Sequence, residues 1–404
     1  MQNAARITVL LFSLIAVVVI LLVWKKGDRK NALSELSTRF GADVSINGDE
    51  FYLGCSSQTL TDLTALAEVV ARVGEPTILD LTGAPALRSL AGVEKMPSLR
   101  SLVLIDCGAL VSAEGVSGHP GLTEIVLTDS VHFAEMAAIR DLPRLTTLDF
   151  SGCLSLSRFE ASNLPVLENL YLSRCHQLKG LDVSAFPTLR QLYADGCGAL
   201  ASIEGLPSLV RLTDLDVSNA TGLKGLPGVG NLAELIVLDI RNVEIRDFTE
   251  IARLPKLRIL RMGGQDAIET LEPLSSLTSL RELHLEACPN FRSLEGMPAG
   301  ISQYAGFTHC PKLVSLEGLE AATGLEQLDL SGCTGLSEIG RVSTLSNLVQ
   351  LSLVKCSRVT DVKVVEKLPR LAIVMLGGSG VIPASVESLS LLNEEMIFDF
   401  AVSE

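Results

Sequence analysis

The segment Leu325–Cys333 reads Leu-Glu-Gln-Leu-Asp-Leu-Ser-Gly-Cys, and this pattern decides the fold. The same spacing, L-x-x-L-x-L-x-x-C, recurs in Leu99–Cys107, Leu167–Cys175 and Leu280–Cys288. The frame also runs through copies that lack the thiol, so that successive ninth positions lie 22 or 23 residues apart. These ninth positions are Ala84, Cys107, Ser130, Cys153, Cys175, Cys197, Ala220, Val243, Gln265, Cys288, Cys310, Cys333, Cys356 and Ser379. One structural unit therefore recurs through about fourteen copies.

The leucine positions predict a short strand in each copy. Side chains alternate between the two faces of a strand, so the fourth and sixth positions point inward and the fifth points outward. No single copy can bury its apolar face alone, and neighbouring copies therefore stack into a continuous core. The ninth side chain lies where the chain turns away, in a slot expected to be too narrow for a large residue. Cysteine there is expected to act as a small buried hydrophobe, which Ala or Ser can replace.

The repeat resembles the leucine-rich repeat in its 22–23-residue, cysteine-type form. Leu328–Leu336 and Leu148–Leu156 look like repeats of plant immune receptors and kinetoplastid repeat proteins, whereas Ser315–Leu319 and Ser202–Leu206 are similar to those of phosphatase-regulatory subunits and bacterial internalins. The resemblance implies an α/β solenoid shaped as a horseshoe. Its parallel sheet would form the concave face, and mostly short turns and 3-10 segments would form the convex face. Members of these groups bind proteins.

The start of the chain predicts a membrane anchor. Ile7–Trp24 is a run of uncharged, mostly apolar residues about 27 Å long as a helix, which is just enough to span a bilayer. Four basic residues follow it within Lys25–Lys30, which favours a cytoplasmic position for the repeats. A cleaved signal peptide is the rival interpretation, but Val23–Lys26 offers no small-x-small cleavage site. Rows of unpaired cysteines also fit a reducing compartment better than an oxidising one.

Four regions follow from these patterns. They are a transmembrane anchor with its basic flank (1–30), a linker and N-terminal cap (31–75), the repeats (76–388), and a C-terminal cap with an acidic tail (389–404). Within the cap, Asn31–Phe40 predicts a helix and Val44–Leu53 a strand or hairpin. Thr61–Val73 predicts a second helix with Thr61 as its N-cap.

Composition and motifs exclude several classes of function. The formal net charge is −14 and the isoelectric point is near 4.9, so we expect no nucleic-acid partner. The sequence contains no C-x-x-C pair, phosphate-binding loop or H-E-x-x-H motif, so we expect no metal, no cofactor and no small-molecule substrate. His284, Asp239 and Ser218 can be drawn as a triad, but side chains on a flat strand array diverge and form no water-excluding pocket. We therefore predict that the protein is not an enzyme.

The candidate binding surface is the outward side of the strands in the middle copies. Aromatic and arginine anchors among carboxylates are typical of protein-binding hot spots. The residues predicted to bind a protein partner are Tyr171, Tyr193, Asp195, Asp216, Asp239, Arg241, Arg261, His284, Glu286 and Tyr304. The competing interpretation is that the open face of a solenoid has to be polar and that these residues cluster on it by chance.

Two functions remain. The first is a single-pass membrane-tethered scaffold or regulator that binds protein through its concave face in the cytoplasm. The second is an extracytoplasmic repeat receptor or adhesin exported by the N-terminal segment. An enzyme is a remote third.

Overall fold

The computed structural model describes residues 27–55, 57–137, 139–386 and 396–401. These residues fall into two compact units: one runs up to Leu156 and includes Glu160–Leu167, and the other comprises Ser157–Phe159 and the chain from Glu168 onward. The predicted anchor, Ile7–Trp24, lies outside the described residues. In the part that is described, no helix combines the length and the apolar character needed to cross a membrane.

The first unit opens with a helix, a hairpin and a second helix. Residues 27–40 are helical (α1), as the pattern in Asn31–Phe40 predicts. Strands β1 (Ala42–Asn47) and β2 (Glu50–Cys55) pair antiparallel and confirm the predicted hairpin. Helix α2 (Thr64–Val70) is shorter than predicted, and its N-cap is not Thr61. The N-cap is Leu63, and one residue before it Asp62 Oδ1 accepts a hydrogen bond from the amide of Thr64 at 2.9 Å.

The repeat strands in this unit are short and parallel. They are β3 (Ile78–Asp80), β4 (Ser101–Val103), β5 (Glu124–Val126) and β6 (Thr147–Asp149). β2 pairs with β3, and each later strand pairs in register with the next, so the fourth positions align. Leu102, Leu104 and Cys107, at the fourth, sixth and ninth positions of one copy, are fully buried. The predicted inward positions are therefore confirmed.

The second unit continues the same pattern. Its strands are β7 (Asn169–Tyr171), β8 (Gly180–Asp182), β9 (Gln191–Tyr193), β10 (Ser202–Glu204), β11 (Asp214–Asp216), β12 (Val237–Asp239), β13 (Ile259–Gly263), β14 (Glu282–Glu286), β15 (Tyr304–Thr308), β16 (Gln327–Asp329), β17 (Gln350–Ser352), β18 (Ile373–Met375) and β19 (Ile397–Asp399). β8 and β10 form a separate parallel pair in the return loops. The remaining strands form one parallel sheet, and β19 extends it past the last predicted copy.

Short 3-10 helices lie in the return loops. They are Val93–Lys95, Leu206–Ser208, Val229–Asn231, Ile251–Arg253, Glu272–Leu274, Leu319–Ala321, Gly340–Thr344, Lys363–Lys367 and Pro383–Ser385. The resemblance to leucine-rich repeats implies such segments, and the structure confirms them.

The eighth position of all fourteen copies adopts a left-handed backbone conformation. The φ angle there lies between 52° at Ala287 and 76° at Gly152 and Gly332. Gly, Asn and Asp tolerate this conformation best, and they occupy ten of the fourteen positions. The left-handed residue turns the chain away from the strand, and the ninth side chain then enters the core.

Most of the thiols at the ninth position join one copy to the preceding one. The Sγ of Cys107, Cys153 and Cys356 donates to the sixth-position carbonyl of the preceding copy at 3.3, 3.2 and 3.0 Å. All nine cysteines are buried and unbridged, and for the eight at the ninth position this confirms the prediction that they act in packing. Burial raises the pKa of Cys153 to about 12, so this thiol stays protonated and can donate.

The prediction that the ninth-position slot is too narrow for a large side chain is wrong in one copy. Gln265 occupies the ninth position with its side chain buried at 1% exposure. Its amide accepts a hydrogen bond from the amide of Ile245 and donates to the carbonyls of Val243, Gly263 and Ile240. The slot therefore admits a large side chain when every polar atom of that side chain has a partner.

A buried histidine in the first unit predicts acid sensitivity. His119 is 3% exposed, its Nδ1 accepts hydrogen bonds from the amides of Gly121 and Leu122, and its Nε2 donates to the carbonyl of Met96. Burial lowers its pKa below the ordinary value near 6.5. Below pH about 6.5 the unfolded chain takes up a proton that the folded chain resists, so stability is full above that pH and falls as the pH drops.

We expect His119→Asn to reduce the difference between the free energies of unfolding at pH about 7.5 and about 5.5, measured by urea denaturation. His132→Asn, at an exposed histidine of the same unit, is the control and should keep the full difference. Equal pH dependence in wild type and His119→Asn would contradict the assignment.

Candidate functional site

The outward side chains of the sheet in the second unit form one surface, called here the strand face. It consists of the third, fifth and seventh positions of the copies from β7 to β16. Its fifth positions align in register across consecutive strands. In order they are Tyr171, Tyr193, Asp216, Asp239, Arg261, His284, Gly306 and Asp329. The structure thus brings together the residues that the sequence pattern selected, while their role in binding stays a prediction.

Two tyrosines form the first aromatic pair of the strand face. The rings of Tyr171 and Tyr193 lie 5.3 Å apart between centroids, inclined at 35°. Tyr171 Oη donates to Gln191 Oε1 at 2.6 Å, a partner that sequence reasoning did not select. Both tyrosines are half-buried, so part of each side chain is accessible. Large rings held this way are suited to anchoring a partner.

Three aspartates lie beside this pair. Asp195 accepts a hydrogen bond from Ser173, and Asp216 Oδ1 accepts one from the amide of Ser218 at 2.8 Å. The pKa of Asp216 is raised, first because the carboxyl group is buried and then because Asp239 and Asp195 repel its charge. The pKa of Tyr193 is also raised, by burial and then chiefly by Asp214. This part of the strand face therefore carries a negative potential.

The centre of the face holds an ion pair. Arg241 Nε lies 3.0 and 3.1 Å from the two carboxylate oxygens of Asp239, and Nη2 lies 2.7 Å from Oδ2. Asp239 is 3% exposed, so its charge depends on this bidentate partner. Accordingly the pKa of Arg241 is raised, first by its hydrogen bonds to Asp239.

The second aromatic pair combines a histidine with a tyrosine. The rings of His284 and Tyr304 stack at 4.4 Å between centroids, with 25° between their planes. His284 Nε2 lies 3.3 Å from Glu282 Oε2, and burial lowers the pKa of the imidazole. Tyr304 has its pKa raised to about 12, first by burial and then by Asp329 and Glu286. Sequence reasoning missed Glu282 and Asp329.

Gly306 makes room for this stack. It pairs in register with His284, and a Cβ placed on it would lie 2.5 Å from Tyr304 Oη. Tyr304 therefore lies along its own strand, across the space that a fifth-position side chain would fill. Tyr52 and Gly54 repeat the arrangement in the first unit, where the corresponding distance is 2.8 Å. The Tyr-x-Gly spacing was the sequence signal that could have identified this platform.

The triad drawn from the sequence does not assemble. Asp239 contacts Arg241 through both carboxylate oxygens, and His284 contacts Glu282. Ser218 is 3% exposed. Among the described residues, no group of three or more His, Cys, Asp or Glu side chains is arranged to hold a metal ion.

Neither a protein-family model nor a curated protein matches the sequence. Solved structures do match: an internalin, InlF, from Listeria monocytogenes is 17% identical, with a TM-score of 0.53, and the match covers 81% of this chain and 87% of the internalin. TLR13, solved as its complex with ssRNA13, is 18% identical with a TM-score of 0.57, and the match covers 84% of this chain and 56% of TLR13.

The chain has the leucine-rich-repeat fold. At these identities the likeness shows the fold alone, and it agrees with the parallel strands set 22 or 23 residues apart. The inward leucines build the core, whereas most side chains of the strand face are half-buried or exposed. On this face two aromatic pairs flank a row of charged residues.

Proposed function

We propose that this protein is a non-catalytic protein-binding scaffold or regulator that uses the strand face of its second unit. The observation that carries the proposal is the position of two aromatic pairs, Tyr171 with Tyr193 and His284 with Tyr304, on either side of a row of charged residues. Half-buried aromatic rings lose little conformational entropy when a partner covers them, which makes them effective anchors. The charged residues between them provide orientation and specificity.

A membrane tether is part of the proposal. Ile7–Trp24 would hold the protein at a membrane, with the repeats in the cytoplasm. The nine buried, unbridged thiols support a cytoplasmic position of the repeats, because an oxidising compartment favours disulfides. Digestion of a C-terminal tag by protease added to intact cells would instead favour the receptor or adhesin alternative.

The binding proposal is tested by capture of partners on the purified repeat protein. Tyr171→Ala combined with Tyr193→Ala should reduce recovery of a specific partner at least about tenfold, because two central aromatic anchors are lost. The control is Val210→Ala with Val314→Ala, which removes apolar surface from two residues that are 53% and 56% exposed and lie outside the strand face. Both variants should melt near the wild-type temperature. Equal recovery with both variants would mean that the partner binds elsewhere.

A further inference from the structure

We infer that the strand face binds an extended basic segment of its partner, and that its two aromatic pairs each receive one Arg or Lys side chain. The inference deepens the proposed function and rests on it. Each aromatic pair lies among carboxylates, and this combination attracts a cation through the ring face and through ion pairing together.

The first cation site is formed by Tyr171 and Tyr193 with Asp195, Asp214 and Asp216. The two tyrosine rings are tilted against each other at 5.3 Å and remain partly open. The pKa of Tyr193 is raised first by burial and then by the charges of Asp214 and Asp216, which therefore lie close to the ring. The pKa of Asp216 is also raised, first by burial and then by Asp239 and Asp195, so its charged form is disfavoured by its surroundings. A cation bound beside it would favour that charged form.

The second cation site is formed by His284 and Tyr304 with Glu282, Glu286 and Asp329. His284 is held against Tyr304 by stacking and against Glu282 by a contact of 3.3 Å. Burial, and then the charges of Arg261 and Arg241, lower its pKa, so the imidazole is neutral near pH 7 and adds no positive charge of its own. Glu286 is exposed and Asp329 half-buried, and both act on Tyr304. The composition of this site therefore parallels that of the first.

The net charge of the strand face indicates the sign of the charge that its partner carries. The strand face from β9 to β16 carries seven carboxylates and two guanidinium groups, a difference of −5 (2 − 7). The carboxylates are Asp195, Asp214, Asp216, Asp239, Glu282, Glu286 and Asp329. Arg241 is paired with Asp239, so these two charges cancel. Arg261 lies in register between Asp239 and His284 and separates the two acidic sites. A partner with two separated cations complements this arrangement.

The spacing of the two sites sets the spacing of the basic residues. From β9 to β14 there are four steps between adjacent strands, through β11, β12 and β13. At about 4.8 Å per step this is about 19 Å. An extended chain advances about 3.3 Å per residue, so two cations about six residues apart can reach both sites.

Two peptides of identical composition test this geometry. The wide peptide has two arginines separated by five Gly and Ser residues, and the narrow peptide has adjacent arginines followed by the same five residues. Both have blocked ends. We expect the wide peptide to bind about tenfold more tightly by fluorescence anisotropy, because only it can occupy both sites. The affinity should fall as sodium chloride rises from about 50 to about 300 mM. Equal affinity for the two peptides would overturn the two-site geometry.

Charge variants test the chemistry of the first site. Asp214→Asn combined with Asp216→Asn should weaken the wide peptide about tenfold, the scale of the surface ion pairs that are lost. Glu204→Gln with Glu338→Gln is the control. It changes the net charge of the protein by the same amount, but at two exposed residues outside the strand face. Equal weakening in both variants would show that only the overall charge matters. Tighter binding of a single-stranded RNA oligonucleotide than of the wide peptide would also overturn the inference.

The outcomes separate this inference from the proposed function. If a captured partner depends on Tyr171 and Tyr193 but is neither displaced by the wide peptide nor weakened by Asp214→Asn with Asp216→Asn, the proposed function stands and the basic-partner inference is wrong. If capture does not depend on the strand face and the wide peptide does not bind, both are wrong. Displacement of the partner by the wide peptide, and not by the narrow one, supports both.

Discussion

Gly318→Ala should lower the free energy of unfolding by about 3 kcal/mol or more, because two destabilising effects act at this position. Gly318 has a φ of 99°, a conformation that costs a residue with a Cβ about 1 to 2 kcal/mol. A Cβ would also lie 2.2 Å from the carbonyl oxygen and 2.6 Å from the carbonyl carbon of Leu294. These are backbone atoms of the preceding copy and cannot rotate away, so adjacent copies would have to move apart.

The matched control is Gly340→Ala in a later return loop. A Cβ on Gly340 would have no heavy atom within 4 Å, and its φ is not positive. We expect Gly340→Ala to be neutral or to stabilise by about 0.5 kcal/mol, because alanine restricts the unfolded chain. Urea unfolding followed by circular dichroism measures both variants. Similar midpoints for the two would show that the copies are not in tight backbone contact at Gly318.

The second large effect is expected for Gln265→Ala, with a loss of about 3 kcal/mol in the free energy of unfolding. The substitution takes away the hydrogen-bond acceptor of the Ile245 amide and the donor to the Val243 carbonyl, which lie 3.1 and 2.7 Å from the Gln265 side chain. A buried polar group without a partner costs about 1 to 3 kcal/mol, and the deleted side chain also leaves a cavity. Ala84 and Ala220 show that alanine itself fits a ninth position, so the loss would come from the groups that Gln265 satisfies.

Gln177→Ala is the control for this prediction. Gln177 is exposed in the same unit, and its substitution should change stability by less than about 0.5 kcal/mol. Thermal and urea unfolding of both variants provide the comparison. If Gln265→Ala unfolds at the same urea concentration as wild type, water must replace the amide hydrogen bonds without loss.

Much of this structure follows from the sequence because the repeat is periodic. Leu102, Leu104 and Cys107 could be assigned to the core from one copy, and that assignment extends to the others because identical spacing requires identical packing. The ten candidate site residues could be assigned to one face for the same reason. The predictions that failed concern single positions, such as the large side chain of Gln265 at a ninth position and the N-cap of α2 in the N-terminal cap, which is Leu63 and not Thr61.

By itself the sequence determined the solenoid, the inward and outward positions and the order of residues along the strand face, because all three depend on period and alternation. Only the tertiary structure decided which side chains meet. The stacking of Tyr304 on His284 across Gly306, the bidentate contact of Arg241 with Asp239 and the carboxylates around each aromatic pair join residues two to more than twenty positions apart. Such contacts depend on rotamers and on register between copies, which a pattern of residue types does not specify.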